Sequence, residues 1–304
     1  MKWYFKKSPH GGRMEIIMKS KHKILIAGGD MRQVYCARRL SELYDIGITG
    51  FDKELVPSEI PFAPAADKAL FDCAVLPVPP LDTSGMISSP CFKGSLSPED
   101  IKNIVSPGGI IFAGRSDRQL REAFREYEIC DYMEREDLNL KNSIPTAEGA
   151  VQIALEELPV TLSGISVLIV GMGRIGRALA EILKGFGSDV TAAVHNAKGA
   201  ANARIHGIKS VCTDKMDSDY DLVFNTVPHI IFDRDLLRRF GEKTLFIDLA
   251  SKPGGIDFDA AAEFGIKAIW ALGLPGKTAP ITSGEIIAET ISGILSGMED
   301  DTDV

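Results

Sequence analysis

The chain has 304 residues, of which 45% are hydrophobic and 25% charged, as in an ordinary globular protein with room for two domains. A formal net charge of -8 disfavours broad nucleic-acid binding, because a protein that neutralises phosphates needs a basic face. Since there is no CxxC pair, no secretory signal and no apolar run of the roughly 20 residues that cross a membrane, we predict a cytoplasmic protein without a metal site.

Residues 1–20 show no sustained periodicity and are predicted to be a disordered extension. An apolar run at 22–27 then ends at Gly28-Gly29-Asp30 and leads into a helix. This turn lacks the full dinucleotide fingerprint, so a packing or turn role is favoured over phosphate binding. Further short apolar runs alternate with helix-compatible segments and lie at 47–51, 73–76 and 110–113. The alternation predicts that residues 21–143 form a parallel-sheet, flavodoxin- or Rossmann-like domain on the substrate side.

A connecting helix is predicted from Asn142 to about Leu158, because Asn142-Ser143-Ile144-Pro145 offers capping residues and a proline suited to a first turn. The second domain then spans 144–280. Its predicted strands lie at 166–170, 190–194, 209–211, 221–225, 244–248 and 267–271. A last helix, 281–295, is expected to return to the first domain and to end in an acidic tail within 281–304. The predicted fold is therefore α/β, with two Rossmann-like parallel-sheet domains.

A dinucleotide fingerprint follows the apolar run Ser166-Val167-Leu168-Ile169-Val170 without a gap. It reads Gly171-Met172-Gly173-Arg174-Ile175-Gly176, and helical spacing follows it. The three glycines would permit a tight turn, close approach of a pyrophosphate, and close packing of helix on sheet. The alternative is that they only make a tight turn, but the complete strand–turn–helix–strand context favours a nicotinamide dinucleotide site.

The choice of cofactor depends on the end of the second strand, where a domain specific for NAD usually carries Asp or Glu for the ribose. The residues there are His195-Asn196-Ala197-Lys198, none of which would repel a phosphate. Arg174 and Lys198 could bind that phosphate with charge-assisted hydrogen bonds. These features favour NADP over NAD; the alternative is that His195 and Lys198 are solvated surface residues.

Loops that follow the later strands should surround the nicotinamide half, because ligands of open parallel sheets bind beyond the carboxyl ends of the strands. The residues expected there are Asn225, Thr226, Val227, Pro228, Ala250, Gly273 and Pro275. Lys252 and Lys277 stand beside glycines and prolines that turn chemistry alone would explain. His229 could serve as an acid or base, but a lone histidine after a strand is more often a capping or packing residue.

Several strings in one order make the chain similar to a known family. They are Ala27-Gly28-Gly29-Asp30, Asn142-Ser143-Ile144-Pro145-Thr146-Ala147-Glu148-Gly149, the glycine fingerprint, Asp248-Leu249-Ala250-Ser251-Lys252-Pro253-Gly254-Gly255 and Gly273-Leu274-Pro275-Gly276. From about Lys23 to about Leu295 the chain resembles the A-subunit family of dipicolinate synthase. The resemblance implies a sporulating bacterium, in whose mother cell the A- and B-subunits of the enzyme convert a hydroxylated tetrahydrodipicolinate to dipicolinate with NADP as oxidant. It further implies an oligomer and a flavoprotein-like B-subunit.

The implied substrate has two carboxylates and therefore needs cations and N–H donors. We expect Lys252 to grip one carboxylate while Asn142, Ser143 and Glu148 shape the opposite wall. Further donors are expected at Lys277, near Thr146, and at Arg115, which could equally be a solvated residue at a helix start. Lys252, His229 and Glu148 are the candidate catalytic residues. Because the reaction forms an aromatic ring, the site needs positioning more than a strong base.

Two alternatives remain open at this point. The first is a dehydrogenase of another small acid, similar to alanine or shikimate dehydrogenase, against which the string Ser251-Lys252-Pro253-Gly254-Gly255 argues. The second is a catalytically silent NADP-binding protein that only scaffolds or regulates its partner.

Overall fold

The computed structural model describes residues 3–7, 14–18, 22–63 and 70–302, and the side chains of 22–63 and 70–298. The chain divides into two units, of which unit 1 is Met1–Lys141 with Pro280–Val304 and unit 2 is Asn142–Ala279. Among the described residues no helix has both the length and the apolar character needed to cross a membrane.

Unit 1 is built on a five-stranded parallel sheet in which β-strands alternate with helices, as predicted. Its elements are β1 Trp3–Lys7, β2 Met14–Met18, β3 Lys23–Ala27, α1 Met31–Leu40, β4 Asp45–Thr49, β5 Phe71–Val75, α2 Pro98–Lys102, β6 Val105–Ala113, α3 Arg118–Ala123 and β7 Glu128–Asp131. The sheet order is β4-β3-β5-β6-β7. Ile24, Leu25, Ile26 and Ala27 of β3 are fully buried, as expected of a strand that is covered on both faces.

Strands β1 and β2 form a two-stranded antiparallel sheet within residues 1–20, which were predicted to be disordered. Trp3 pairs with Met18 and Lys7 with Met14 in its register. Aromatic and β-branched residues such as Tyr4 and Ile16 favour strands. The rest of the predicted extension lies outside the described residues.

Unit 2 has a six-stranded parallel sheet with the strand order of a dinucleotide-binding domain. Its elements are β8 Ser166–Val170, α5 Arg174–Phe186, β9 Asp189–Val194, α6 Ala197–Ile205, β10 Lys209–Cys212, β11 Leu222–Asn225, α7 Arg234–Leu237, β12 Leu245–Asp248, α8 Phe258–Glu263, β13 Ala268–Trp270 and α9 Leu274–Thr278. The order β10-β9-β8-β11-β12-β13 reverses direction at β8, so β8 and β11 enclose the switch point where such sheets bind ligands.

The connecting helix α4, Glu136–Glu157, begins earlier than predicted and contains Pro145 in its interior. The prediction that Asn142 and Ser143 cap the helix was therefore wrong. Glu136 and Asp137 supply the acidic first turn instead. Pro145 removes one backbone hydrogen bond at a typical cost of about 3 kcal/mol, which the burial of residues such as Ala147 and Ala150 in unit 2 offsets.

The final helix α10, Pro280–Thr302, packs against α1 in unit 1, the domain to which the sequence predicts that the C-terminus returns. Ile287 and Ile291 enter the same buried cluster as Val34 of α1. A Cβ on Gly284 would lie 2.4 Å from the backbone oxygen of Arg32, so this close approach of α10 to α1 requires a glycine.

Candidate functional site

The turn between β8 and α5 is shaped by three glycines, each for a different reason. Gly171 has a φ of +94°, and a Cβ there would lie 2.5 Å from Thr226 Oγ1. A Cβ on Gly176 would lie 2.0 Å from the backbone oxygen of Gly171, so helix and turn could not pack this closely with any other residue. Apart from its two neighbours along the chain, no described residue has an atom within 4 Å of the Cβ position of Gly173, which leaves open space beside the turn.

The N-terminus of α5 lies at this open space and has no side chain that caps it within the described part of the chain. The first N–H groups of a helix lack partners in the helix, and the helix dipole makes that end positive. An uncapped N-terminus beside an unfilled glycine fits the pyrophosphate of a dinucleotide. The residues at this turn therefore match the cofactor that the fingerprint predicted.

The turn between β3 and α1 in unit 1 is filled by the chain itself. Gly28 N donates to Thr49 O at 2.9 Å, and Gly29 N donates to Ser88 O at 2.7 Å. The Asp30 carboxylate caps α1 by accepting from Arg32 N at 3.0 Å, and it also pairs with the Arg32 guanidinium at 2.9 Å. The two glycine N–H groups are thus engaged within the chain, in agreement with the predicted turn role.

The glycine turn after β8 accepts a hydrogen bond from a residue that no motif in the sequence identifies. Asn202 of α6 donates from Nδ2 to Met172 O at 3.0 Å. The Met172 side chain is 4% exposed and belongs to the core, so of this predicted cofactor residue only the backbone faces the turn. Ile175 likewise packs against the core.

At the end of β9 the predicted phosphate-binding residues are exposed. The Asn196 side chain caps α6 by accepting from Gly199 N at 2.8 Å, and its Nδ2 lies 3.0 Å from His195 Nε2. Asn196 is thus occupied in shaping the turn, whereas Lys198 extends from the first turn of α6. Arg174 and Lys198 are both exposed.

A buried carboxylate organises the loops after β11 and β12. Asp248 is 0% exposed, and its Oδ1 accepts from Asn225 Nδ2 at 2.7 Å and from Ala250 N at 3.0 Å. Its Oδ2 accepts from Gly255 N at 2.7 Å. Asp248 therefore fixes both ends of the segment 250–255, which carries the exposed Lys252. Strand-end position was the signal that could have identified this aspartate.

Several predicted cofactor contacts are already engaged within the protein. Thr226 Oγ1 donates to Val170 O at 2.8 Å, and Val227 N donates to Asn225 Oδ1 at 3.2 Å. Ala250 donates to Asp248 and accepts from Trp270 Nε1 at 2.9 Å. These groups are therefore bonded within the fold, whereas Pro228 and His229 are exposed.

Helices α4 and α9 approach each other at Gly149, where a Cβ would lie 2.5 Å from Thr278 Oγ1. This contact brings the string that ends at Gly149 next to the string that begins at Gly273. Gly273 is the N-cap of α9 with a φ of 71°, and Pro275 is buried in its first turn. The other predicted residues of these strings are placed as follows: Glu148 and Lys277 are exposed, Asn142 and Thr146 half-buried, and Ser143 buried.

Arg115 lies in unit 1 after β6 and is the only residue other than glycine with a positive φ, 62°, in the described part of the chain. Asp131 holds this conformation by accepting from Arg115 N at 3.1 Å and from Ser116 N at 2.6 Å. The helix that follows is capped by Asp117, so Arg115 is not its first residue.

Tyr132 of unit 1 donates a hydrogen bond to Leu76 O at 2.9 Å. Burial raises the pKa of the Tyr132 phenol, which therefore stays a neutral donor.

Two family models match the chain, one in each unit. The model of the N-terminal domain of the dipicolinate synthase A-subunit matches residues 23–133. The model of the D-isomer specific 2-hydroxyacid dehydrogenase NAD binding domain matches residues 144–259, which contain the glycine turn. The second match confirms the predicted nicotinamide dinucleotide-binding domain. Because this domain is of the dehydrogenase type, the match also identifies the chain as an oxidoreductase.

Whole-chain comparisons agree with the first model. The dipicolinate synthase A-subunit of Bacillus subtilis (strain 168) is 32% identical over 294 residues, which cover 91% of this chain and 97% of that protein. Its crystal structure has a TM-score of 0.83 at 30% identity and covers 94% of this chain and 99% of that one. The corresponding structure from Bacillus halodurans has a TM-score of 0.84 at 30% identity, with 91% and 99% covered. The chain belongs to the A-subunit family of dipicolinate synthase.

Proposed function

We propose that this protein converts a cyclic, hydroxylated dicarboxylate to dipicolinate by loss of water, transfer of a hydride to NADP and loss of a proton, and that it acts with a second, flavoprotein-like protein, the B-subunit. The observation that carries the proposal is the uncapped N-terminus of α5 at Gly173, in a chain of the dipicolinate synthase A-subunit family. The resemblance further supports the cytoplasm of a sporulating cell as the place of action.

The residues of the glycine turn hold the pyrophosphate, and the loops after β11 and β12 border the nicotinamide half. A bound nicotinamide cofactor supplies a hydride acceptor. The protein binds and orients the acid beside it. Formation of an aromatic ring supplies the driving force, so the protein needs correct placement of the ring more than a strong base.

Lys252 binds a substrate carboxylate through its Nζ in this proposal. Its loop is fixed at both ends by the buried Asp248, so an exposed and flexible side chain starts from a rigid backbone. His229 accepts the proton that the substrate ring loses, and Glu148, Asn142 and Ser143 contact the acid together with Thr146 and Lys277. Arg115 is a further candidate for binding a carboxylate, in unit 1, and its left-handed backbone fits a role in ligand contact.

The proposal is tested by mixing the purified chain with NADP and the product of dihydrodipicolinate synthase, with and without the B-subunit. Dipicolinate absorbance and NADPH should rise together. Lys252→Ala should raise KM about tenfold or more, as expected for loss of a charge-assisted hydrogen bond, whereas exposed Lys243→Ala should change nothing. No NADPH formation in the presence of the partner protein would contradict the enzyme and favour the silent scaffold.

Cofactor preference is tested separately by titrating the chain with NADPH and NADH. We expect tighter binding of NADPH, because Arg174 and Lys198 can pair with the ribose phosphate. Arg174→Ala and Lys198→Ala should each weaken NADPH about tenfold, or about 1.4 kcal/mol, with little effect on NADH. Lys209→Ala, which removes another exposed cation from the same unit, is the matched control. Tighter binding of NADH by the unmodified chain would overturn the preference.

A further inference from the structure

The glycine turn after β8 carries backbone carbonyl oxygens as well as N–H groups, and only the N–H groups attract a phosphate. Each carbonyl oxygen must therefore be held by a donor elsewhere in the fold. Val170 O accepts from Thr226 Oγ1 at 2.8 Å, and Gly173 O accepts from Arg177 N at 3.1 Å. The oxygen that lies between them in the chain, Met172 O, needs a donor of its own.

Asn202 of α6 supplies that donor. Its Nδ2 lies 3.0 Å from Met172 O, which is the length of a good hydrogen bond. Asn202 is half-buried, so solvent competes only in part for its amide. The Met172 side chain is 4% exposed and belongs to the core. Met172 is thus anchored twice, by the packing of its side chain and by the hydrogen bond to its oxygen.

The hydrogen bond also fixes the direction of the next N–H group. The Met172–Gly173 peptide is trans, and the C=O and N–H bonds of a trans peptide point in opposite directions. Because Met172 O faces Asn202, Gly173 N–H is directed to the opposite side of the peptide. Gly173 N has no hydrogen bond to an acceptor among the described residues. Since glycine permits more backbone conformations than any other residue, this peptide would turn over easily if Met172 O were released.

We propose that Asn202 is a positioning residue of the dinucleotide site, which holds the Met172–Gly173 peptide in the orientation that presents Gly173 N–H to the pyrophosphate. The proposal rests on the dinucleotide site of the proposed function and adds to it a residue outside the glycine fingerprint. Asn202 acts through the backbone. Without it the peptide can turn over, and an oxygen that repels phosphate then takes the place of a donor.

A second route from Asn202 to the cofactor has to be separated from this one. Lys198 lies four residues before Asn202 and therefore on the same face of α6. Loss of Asn202 could disturb Lys198 in place of the glycine turn. The two routes differ in their ligand, because the pyrophosphate is common to NADH and NADPH, whereas only NADPH has the ribose phosphate. An effect through the turn weakens both dinucleotides, and an effect through Lys198 weakens NADPH alone.

Fluorescence titration of the full chain with NADPH and with NADH tests the proposal. Asn202→Ala should weaken both dinucleotides about tenfold, or about 1.4 kcal/mol. Asn202→Gln keeps an amide donor on a longer side chain and should recover part of this affinity. By nuclear magnetic resonance, NADPH should slow amide exchange at Gly173 in the unmodified chain and at least tenfold less in Asn202→Ala.

The matched control is Asn139→Ala. Asn139 of α4 is also half-buried and also donates from Nδ2 to a backbone oxygen, Met133 O at 2.7 Å, but it lies in unit 1. Asn139→Ala should lower the melting temperature to an extent similar to that of Asn202→Ala, because each variant loses a bond of the same kind. Its affinities for NADPH and NADH should stay unchanged.

The outcomes separate this inference from the proposed function. If Asn202→Ala binds NADPH and NADH as tightly as the unmodified chain does, Asn202 only stabilises the fold, and the inference fails while the function stands. If Asn202→Ala weakens NADPH alone, the effect arises at Lys198, and the inference again fails. If the unmodified chain binds neither dinucleotide, the proposed function and the role of Asn202 are both overturned.

Discussion

The turn after β3 and the turn after β8 begin alike, with a buried parallel strand, a left-handed glycine and a helix. They differ in what lies at the start of the helix. In unit 1 the Asp30 carboxylate caps α1, and the backbone oxygen of Ser88 accepts a hydrogen bond from Gly29 N. In unit 2 the cap position is Gly173, which has no side chain, and apart from its two chain neighbours no described residue has an atom within 4 Å of its Cβ position.

This difference shows how one local fold can either stabilise a domain or bind an anion. A carboxylate at the cap neutralises the positive helix end and satisfies its N–H groups from within the chain. A glycine leaves both the charge and the donors available to a ligand. Glycine content alone therefore does not identify a phosphate site, whereas the residue at the cap does.

The largest effect is expected from transferring the unit 1 cap to unit 2. Gly173→Asp should weaken NADPH binding a hundredfold or more, about 2.7 kcal/mol, because the new carboxylate takes the donors and repels the pyrophosphate. The melting temperature should not fall, since aspartate is a favourable cap. Gly173→Ala should weaken binding less, as its methyl group enters open space. Fluorescence titration measures the NADPH affinity, and thermal melting measures the melting temperature. Undiminished NADPH affinity in Gly173→Asp would disprove the role of this turn.

The second-largest effect is expected at Asp248, a carboxylate that stabilises loops of unit 2, as Asp30 stabilises a turn of unit 1. Asp248→Asn should destabilise unit 2 by about 2 kcal/mol, because one acceptor oxygen becomes an amide group that faces a backbone or side-chain donor. Urea unfolding followed by circular dichroism measures this loss. Asp235→Asn, at an exposed carboxylate of α7, is the control. Equal stability of the two variants would show that Asp248 does not fix its loops.

The smallest effect is expected at the unit 1 cap itself. Asp30→Ala should lower the unfolding free energy by about 1 kcal/mol through loss of the cap, while NADPH affinity stays unchanged. The same urea unfolding and fluorescence titration apply, and exposed Glu122→Ala should alter neither. A loss of NADPH affinity in Asp30→Ala would mean that the two turns are not functionally separate.

Much of the fold could be predicted because buried parallel strands are continuous apolar runs with glycine at their ends. The runs at 166–170 and 23–27 are of this kind and were located to within a residue. Strand β7 was missed because Glu128 and Asp131 flank its few apolar residues. The start of α4 was misplaced because local rules put Pro145 in a first turn, whereas tertiary packing tolerates it inside a helix.

The candidate site was only partly predictable for a related reason. The glycine turn is a local motif, so Gly171, Gly173 and Gly176 could be found from the sequence. The supporting residues act across the fold: Asn202 reaches Met172, and Asp248 reaches Asn225 from the adjacent strand. The spacing of residues along the chain does not show which residues make such contacts.

The central claim is that the turn after β8 holds the dinucleotide through its backbone N–H groups and that the turn after β3 does not. Amide hydrogen exchange with and without NADPH measures this directly. We predict slower exchange at residues 172–177 and no change at residues 28–34 when NADPH is added. Unchanged exchange at 172–177 under saturating NADPH, or slowing at 28–34 in its place, would contradict the account.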